Sequence, residues 1–236
     1  MCYNCVTLMS VQTADYFDLI TRLPPGGRLT LYEVAWEEYE QLLDQLGDEY
    51  HFRIGYDNGR LEIMTPTGKH ERYKSLLNSL LIILSDELDL EILSYGSTTL
   101  KLKPKRKGAE GDDCFYIQRA AEIGEKDRLD LTRDPPPDLV IEIDVTHDSA
   151  GKFAIYAALG VPEIWRYDGS RFSIWQLAHE AYAPAPFSPT FPFLTAEHLA
   201  EFVANSEAQG RKQARRTFRD WVRATKPFTV QPSRNQ

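Results

Sequence analysis

No long apolar run occurs in this chain: the longest, Phe153 to Leu159, is seven residues, against the roughly 18 that a membrane span needs. A bilayer-spanning protein is therefore not expected. Nor is a secretory leader, because MCYNCVTLMS carries no basic residue ahead of its weakly apolar stretch. The expected setting is cytoplasmic. Cysteine is scarce, and three in 236 residues make no disulfide framework. Cys2 and Cys5 form a CxxC without the second ligand pair of a closed zinc site, and Cys114, in the apolar run CFYI, reads as a small core residue. Positive charge is also short. With 27 Lys and Arg against 35 Asp and Glu, the net charge is −8, which argues against a protein that coats nucleic acid nonspecifically. Local basic patches remain, at Lys101, Lys103, Lys105, Arg106 and Lys107, and again from Arg211 to Arg223. HExxH, GxSxG, a phosphate-cradling glycine loop and a Cys–His hydrolase pattern are all missing.

What is present reads as one soluble domain of alternating elements. Residues 1–29 read as a loosely packed arm closed by LPPGGR, and a helix is expected from Tyr32 to Leu46, ended by Gly47. His51–Tyr56 and Arg60–Thr65 form two strands around Asp57-Asn58-Gly59, a hairpin turn because Asn and Gly tolerate positive φ. Tyr73, Leu76, Leu77, Leu80, Leu81 and Leu84 stripe one side of a long helix over 69–88, wide enough to cover a sheet. Strands are expected over 91–95, 98–103, 112–117, 163–167 and 171–177, with a helix from Ser149 to Leu159. The proline-rich 181–192 reads as irregular, followed by helices over His198–Ala204 and Arg211–Ala224, with 201–236 set apart as a basic helix and a tail frayed over its last ten residues. The sum is a mixed α/β layer around one central sheet.

The stretch PPDLVIEIDVTHDSAGKFAIY, from Pro136 to Tyr156, organises the rest. In a strand, Val140, Glu142 and Asp144 share one face and Leu139, Ile141, Ile143 and Val145 the other. Two carboxylates pointing the same way from a buried sheet cost several kcal/mol unless something positive lies between them. A divalent cation answers that need, and an edge strand with one solvated face is the alternative. Asp112 lies about thirty residues before Glu142, and Lys152 follows on the next helix. Two acids and a basic residue near a strand-to-helix switch are what a metal-dependent phosphodiester hydrolase requires. Tyr156, four residues after Lys152, shares its helix face and is either a core tyrosine or part of the site. His70 opens the long helix beside Glu71 and is a second candidate general base.

The segments EGDDCFYI, PPDLVIEIDVT, KFAIYAALGVPEIWRYD and NGRLEIMTP resemble the Uma-type family of restriction-endonuclease-like proteins, in the PD-(D/E)XK nuclease superfamily, over roughly residues 30–200. The resemblance implies a restriction-endonuclease-like core with a central mixed sheet flanked by helices, a Mg²⁺-dependent DNA endonuclease in which Mn²⁺ can substitute, and homodimerisation. Carried onto this sequence, the first acid falls on Asp112, with Asp113 its neighbour, the second on Glu142 and the lysine on Lys152. Asp144 occupies the position two residues after the second acid, where the pattern has lysine, and is expected as a further metal ligand or a support to one. Gly111 stands where proline usually precedes the first acid. The aromatic strands Ile164–Trp175 add an expectation of exposed tryptophans that a dimer would cover. The rival reading keeps the fold without turnover, as a nucleic-acid-binding or protein-interaction module.

Overall fold

A computed structural model describes residues 7–8, 13–47, 50–145 and 148–225. The expectations for Cys2, Cys5 and the last ten residues lie outside them. The chain runs through strand β1 (Thr7–Leu8), helix α1 (Thr13–Thr21), β2 (Arg28–Leu31), α2 (Trp36–Leu46), β3 (Arg53–Asp57), β4 (Arg60–Met64) and the long α3 (Gly68–Leu88). Next come β5 (Leu93–Gly96), β6 (Leu100–Leu102), β7 (Lys107–Ala109), β8 (Asp113–Tyr116) and the short α4 (Ala120–Ile123). The last third is β9 (Leu139–Ile143), α5 (Ala150–Leu159), β10 (Glu163–Tyr167), β11 (Phe172–Ala178), β12 (Ala181–Pro184), α6 (Ala196–Gln209) and α7 (Arg211–Thr225).

These strands build two six-stranded sheets, ordered β1-β2-β4-β3-β7-β6 and β12-β11-β10-β9-β8-β5. Each contains one parallel pair, β1–β2 in the first and β9–β10 in the second, where β9 is also antiparallel to β8. The expectation of a single sheet is thus corrected, and the reason is visible at the crossing between the two. Glu110 still donates its amide to Ile54 of β3, whereas Asp112 donates to Ile141 of β9. Gly111 is the residue at which the chain changes sheets. A Cβ there would meet Val140 Cγ1 at 2.8 Å and the Tyr156 hydroxyl at 3.4 Å, so the crossing needs glycine, and proline in its place would collide with β9.

The alternation predicted for β9 holds, and it sorts the core. Leu139, Ile141 and Ile143 join the apolar stripe of α3 together with α6 and α7, each such side chain contributing about 1.5–3 kcal/mol on burial. Val140 joins Ile155, Tyr156 and Leu159 of α5 on the opposite face. The strand lies inside the sheet, which removes the edge-strand alternative. The Asn58-Gly59 turn also forms, with φ of 47° and 95°.

Other expectations are corrected. From Thr13 onward the N-terminal arm is not loose: Tyr16 and Ile20, one helical turn apart, are buried against α2 and the first sheet. Within the proline-rich segment, β12 pairs with β11, since Pro184 sits at the end of an edge strand where no ladder donor is required. The tryptophans are covered within the chain. Trp165 is fully buried, and Trp175 packs edge-on against Phe153 at 5.3 Å. That argument for a dimer is therefore lost. Cys114 is a free, buried thiol, pushed upward in pKa by burial. Among the described residues no helix is long and apolar enough to cross a membrane.

Candidate active site

The site lies where β9 ends, beside the crossing between the sheets. Glu142 is the last residue of the α5-facing alternation in β9 and is 2% exposed. Three residues after its N-cap, α5 presents Lys152, which reaches back over the strand end. Its Nζ donates to both carboxylate oxygens of Glu142, at 3.2 and 3.1 Å, and to the Glu110 carbonyl at 2.9 Å. All three ammonium donors are thereby used. One turn further along α5, the fully buried Tyr156 donates its hydroxyl to Glu142 Oε1. Tyr156 is both a core residue and part of the site.

Asp112 approaches from the neighbouring strand end. Its Oδ2 accepts the amide of Ile143, the residue next to Glu142, at 2.7 Å, and its Oδ1 accepts from Arg53 Nε at 3.3 Å. Arg53 also reaches Glu71 at 3.2 Å. Asp113 turns the other way, accepting from Asn78 at 2.6 Å and Ser94 at 2.9 Å. The register choice of Asp112 over Asp113 thus agrees with which side chain meets the end of β9.

The electrostatics follow from burial. Desolvation pushes Glu142 up to about 7, with Lys152 and Tyr156 opposing the rise and Asp112 and Asp144 adding to it. Burial draws the Lys152 ammonium down, but Glu142 and Asp112 outweigh it and hold the group above its ordinary value. Burial likewise raises Glu110, whose carboxylate accepts from Thr99, Tyr50 and the Ile54 amide.

A cleft of about 250 Å³ opens from this cluster between the first sheet and the start of α5. Arg28, Arg60 and Glu62 line one wall, and Glu142, Asp144 and Lys152 the other.

Asp144 does not join Asp112 and Glu142. Beyond the end of β9 its Oδ2 accepts from the amide and hydroxyl of Ser149, each at 3.0 Å, and from Arg166 Nε on β10. It therefore closes the turn into α5. Among the described residues no group of three His, Cys, Asp or Glu side chains is placed to hold a metal ion, so Asp112, Glu142 and Asp144 do not meet as a three-acid set. His70 is likewise engaged elsewhere, at the third position of α3. Its Nδ1 faces the Thr67 amide at 3.2 Å and hydroxyl at 2.9 Å, filling the place that Glu or Gln takes in a capping box.

Sequence reasoning missed Arg53 and Glu110. A signal for Arg53 exists: Ile54 and Tyr56 face the first sheet's core, so Arg53 and Gly55 must share the other face, an arginine where an apolar strand should have none.

A mixed sheet flanked by helices, with an acid at the end of each of two adjacent strands and a lysine closing over them, is a restriction-endonuclease-like core. The chain belongs to the Uma2 family, described as "Putative restriction endonuclease", which it matches over residues 36–206. No curated protein matches it.

Proposed function

We propose that this chain is a DNA endonuclease dependent on Mg²⁺, with Mn²⁺ as substitute. The observation that carries the reading is the convergence of Lys152 on Glu142, beside Asp112, although ten residues separate the lysine from the glutamate.

The residues present fit a hard divalent cation. Asp112 and Glu142 supply two carboxylates from adjacent strand ends, and Mg²⁺ is commonly held by one or two carboxylates while retaining several waters. A backbone oxygen is also available. Ile143 turns its amide toward Asp112, and a strand residue directs its carbonyl to the same edge as its amide. When bound, such an ion polarises the scissile phosphate and lowers the pKa of a coordinated water.

The protein's own groups do the rest. The Glu110 carbonyl holds the Lys152 ammonium against the Glu142 carboxylate, where its positive charge would stabilise a water or phosphate oxygen brought beside it. Tyr156 fixes the Glu142 rotamer from below. Arg53 holds Asp112 and offsets part of its charge in a site that is 5% exposed at the arginine.

Calorimetry with Mg²⁺ or Mn²⁺ tests the ligand assignment. Binding to wild type should be lost in Glu142→Ala, and equal binding in both would sink it. Plasmid nicking in Mg²⁺, abolished by Glu142→Ala, is the expected activity. A wild type that binds metal yet cleaves no DNA would instead favour the module that has kept the fold without turnover.

A further inference from the structure

Outside the cleft, the two basic patches have different fates. Lys101 and Lys103 are paired with Glu40 and Glu37, and Lys107 with Asp57. Lys105 and Arg106 are hydrogen-bonded to the Ala158 carbonyl and the Tyr56 hydroxyl. That patch is spent on the fold.

The second patch is not. Helix α7 buries Ala214, Phe218 and Val222 and packs along α3. Arg211 meets the Arg72 carbonyl near one end of α3, and Arg219 and Arg223 meet Glu87 near the other. Lys212, Arg215 and Arg216 lie between these anchors, exposed and without an ion pair or hydrogen bond among the described residues.

These three cations share a helix face with Arg219 and border a groove whose floor holds Ser79 and Ile82. Ile82 is 58% exposed, an apolar residue ringed by positive charge. The hollow continues along α3 to Glu71, through a second depression that shares Ser79, Ile82 and Arg215. Glu71 contacts Arg53 of the site. From Glu71 to Ile83 the helix covers roughly 18 Å.

We propose that this α3–α7 groove binds the phosphate backbone of the DNA whose neighbouring segment occupies the cleft, an inference that rests on the endonuclease reading. Unpaired cations on a chain of net charge −8 are placed for a polyanion, and Ile82 offers an apolar contact for deoxyribose. A lipid surface fits less well. The apolar face that an amphipathic helix would insert into a bilayer is already buried here. Helix α7 also lies beyond the family-matched residues 36–206, so this surface is additional to the family match.

The test is fluorescence anisotropy with a fluorescein-labelled 20-base-pair duplex in EDTA, across a KCl series, with folding checked by circular dichroism. For Lys212→Ala/Arg215→Ala/Arg216→Ala the slope of log K against log[salt] should fall by roughly 2 to 3, and affinity near 0.15 M salt by about 100-fold. Ile82→Glu, at an exposed position, should also weaken binding, because it places a carboxylate among the cations. Lys101→Ala/Lys103→Ala should leave affinity within about twofold, because those ammoniums are already paired.

An unchanged slope in the triple variant would overturn the proposal. So would an equal loss in the Lys101/Lys103 control, no binding by wild type, or binding to phosphatidylserine vesicles in place of DNA. If wild type binds through this groove but cleaves nothing in Mg²⁺, the endonuclease reading fails and the groove stands. If the triple variant binds like wild type while wild type nicks plasmid, the groove fails and the endonuclease reading stands.

Discussion

Raising the pH should weaken the metal-free fold and strengthen metal binding together, because one carboxyl controls both. Glu142 is held at about 7 in the folded protein against an ordinary value of 4.5. Between those values the folded state keeps a proton that the unfolded chain has released, so stability falls as pH rises through the window and levels off above about 7. From pH 5.5 to 8 this group alone removes about 2 kcal/mol. In a domain of this size that amounts to roughly 4 to 8 °C in Tm. Buried Glu110, Asp113 and Glu163, all raised by desolvation, push the same way.

A cation ligated by Glu142 needs the carboxylate. Its apparent affinity should therefore be about 30-fold higher at pH 8 than at pH 5.5, where only a few per cent of Glu142 is ionised. Thermal melts with and without 10 mM Mg²⁺ at both pH values measure the two effects. The Mg²⁺-induced rise in Tm should be larger at pH 8, and Glu142→Gln should abolish it and flatten the metal-free slope. A Mg²⁺ effect equal at both pH values, or larger at pH 5.5, would refute the coupling of this carboxyl to the ion.

Three further outcomes are expected. Lys152→Ala should retain Mg²⁺ binding by calorimetry yet slow plasmid nicking about 100-fold or more, the usual cost of losing one electrostatic or proton-transfer group; unchanged nicking would remove Lys152 from the mechanism. Gly111→Ala should lower stability by about 1–3 kcal/mol through the 2.8 Å approach to Val140, and chemical denaturation should show part of it regained when Val140→Ala opens the space; additive losses would contradict the clash. Asp144→Asn should leave Mg²⁺ affinity within about twofold while lowering Tm, because its carboxylate serves Ser149 and Arg166; a loss of affinity of tenfold or more would return Asp144 to the ligand set.

Strand β9 and its polarity could be read from sequence because period two in a β-branched run leaves few alternatives. The β3–β4 hairpin could be read because Asn58-Gly59 dictates a turn with positive φ. The second sheet could not. Its identity depends on Glu110 and Asp112 bonding to different strands across a single glycine, a long-range pairing with no local signature. The exposed-tryptophan expectation failed for a related reason: which face of β10 is covered depends on Phe191 and α6, far along the chain. At the candidate site, the meeting of Lys152 with Glu142 beside Asp112 could be anticipated from the resemblance rather than from register, since the lysine stands eight residues beyond its usual place. Asp144 lies off the face of Glu142 because the strand, and with it the alternation, ends one residue earlier at Ile143.

On the endonuclease reading proposed above, the displacement of the lysine has a physical explanation in this geometry. At the position two residues after Glu142 a lysine would rise from the strand itself, but here that position leaves the strand as Asp144 and is committed to the turn that starts α5. The first turn of α5 lies beside the strand end, and a four-carbon stem from position 152 delivers the ammonium to both oxygens of Glu142. Asp144 therefore acts indirectly. By bonding Ser149 and Arg166 it ties the end of β9 to the start of α5, the helix that carries Lys152. What the chemistry requires is the position of a charge rather than of a Cα, and a helix anchored to its preceding strand supplies that position from ten residues away.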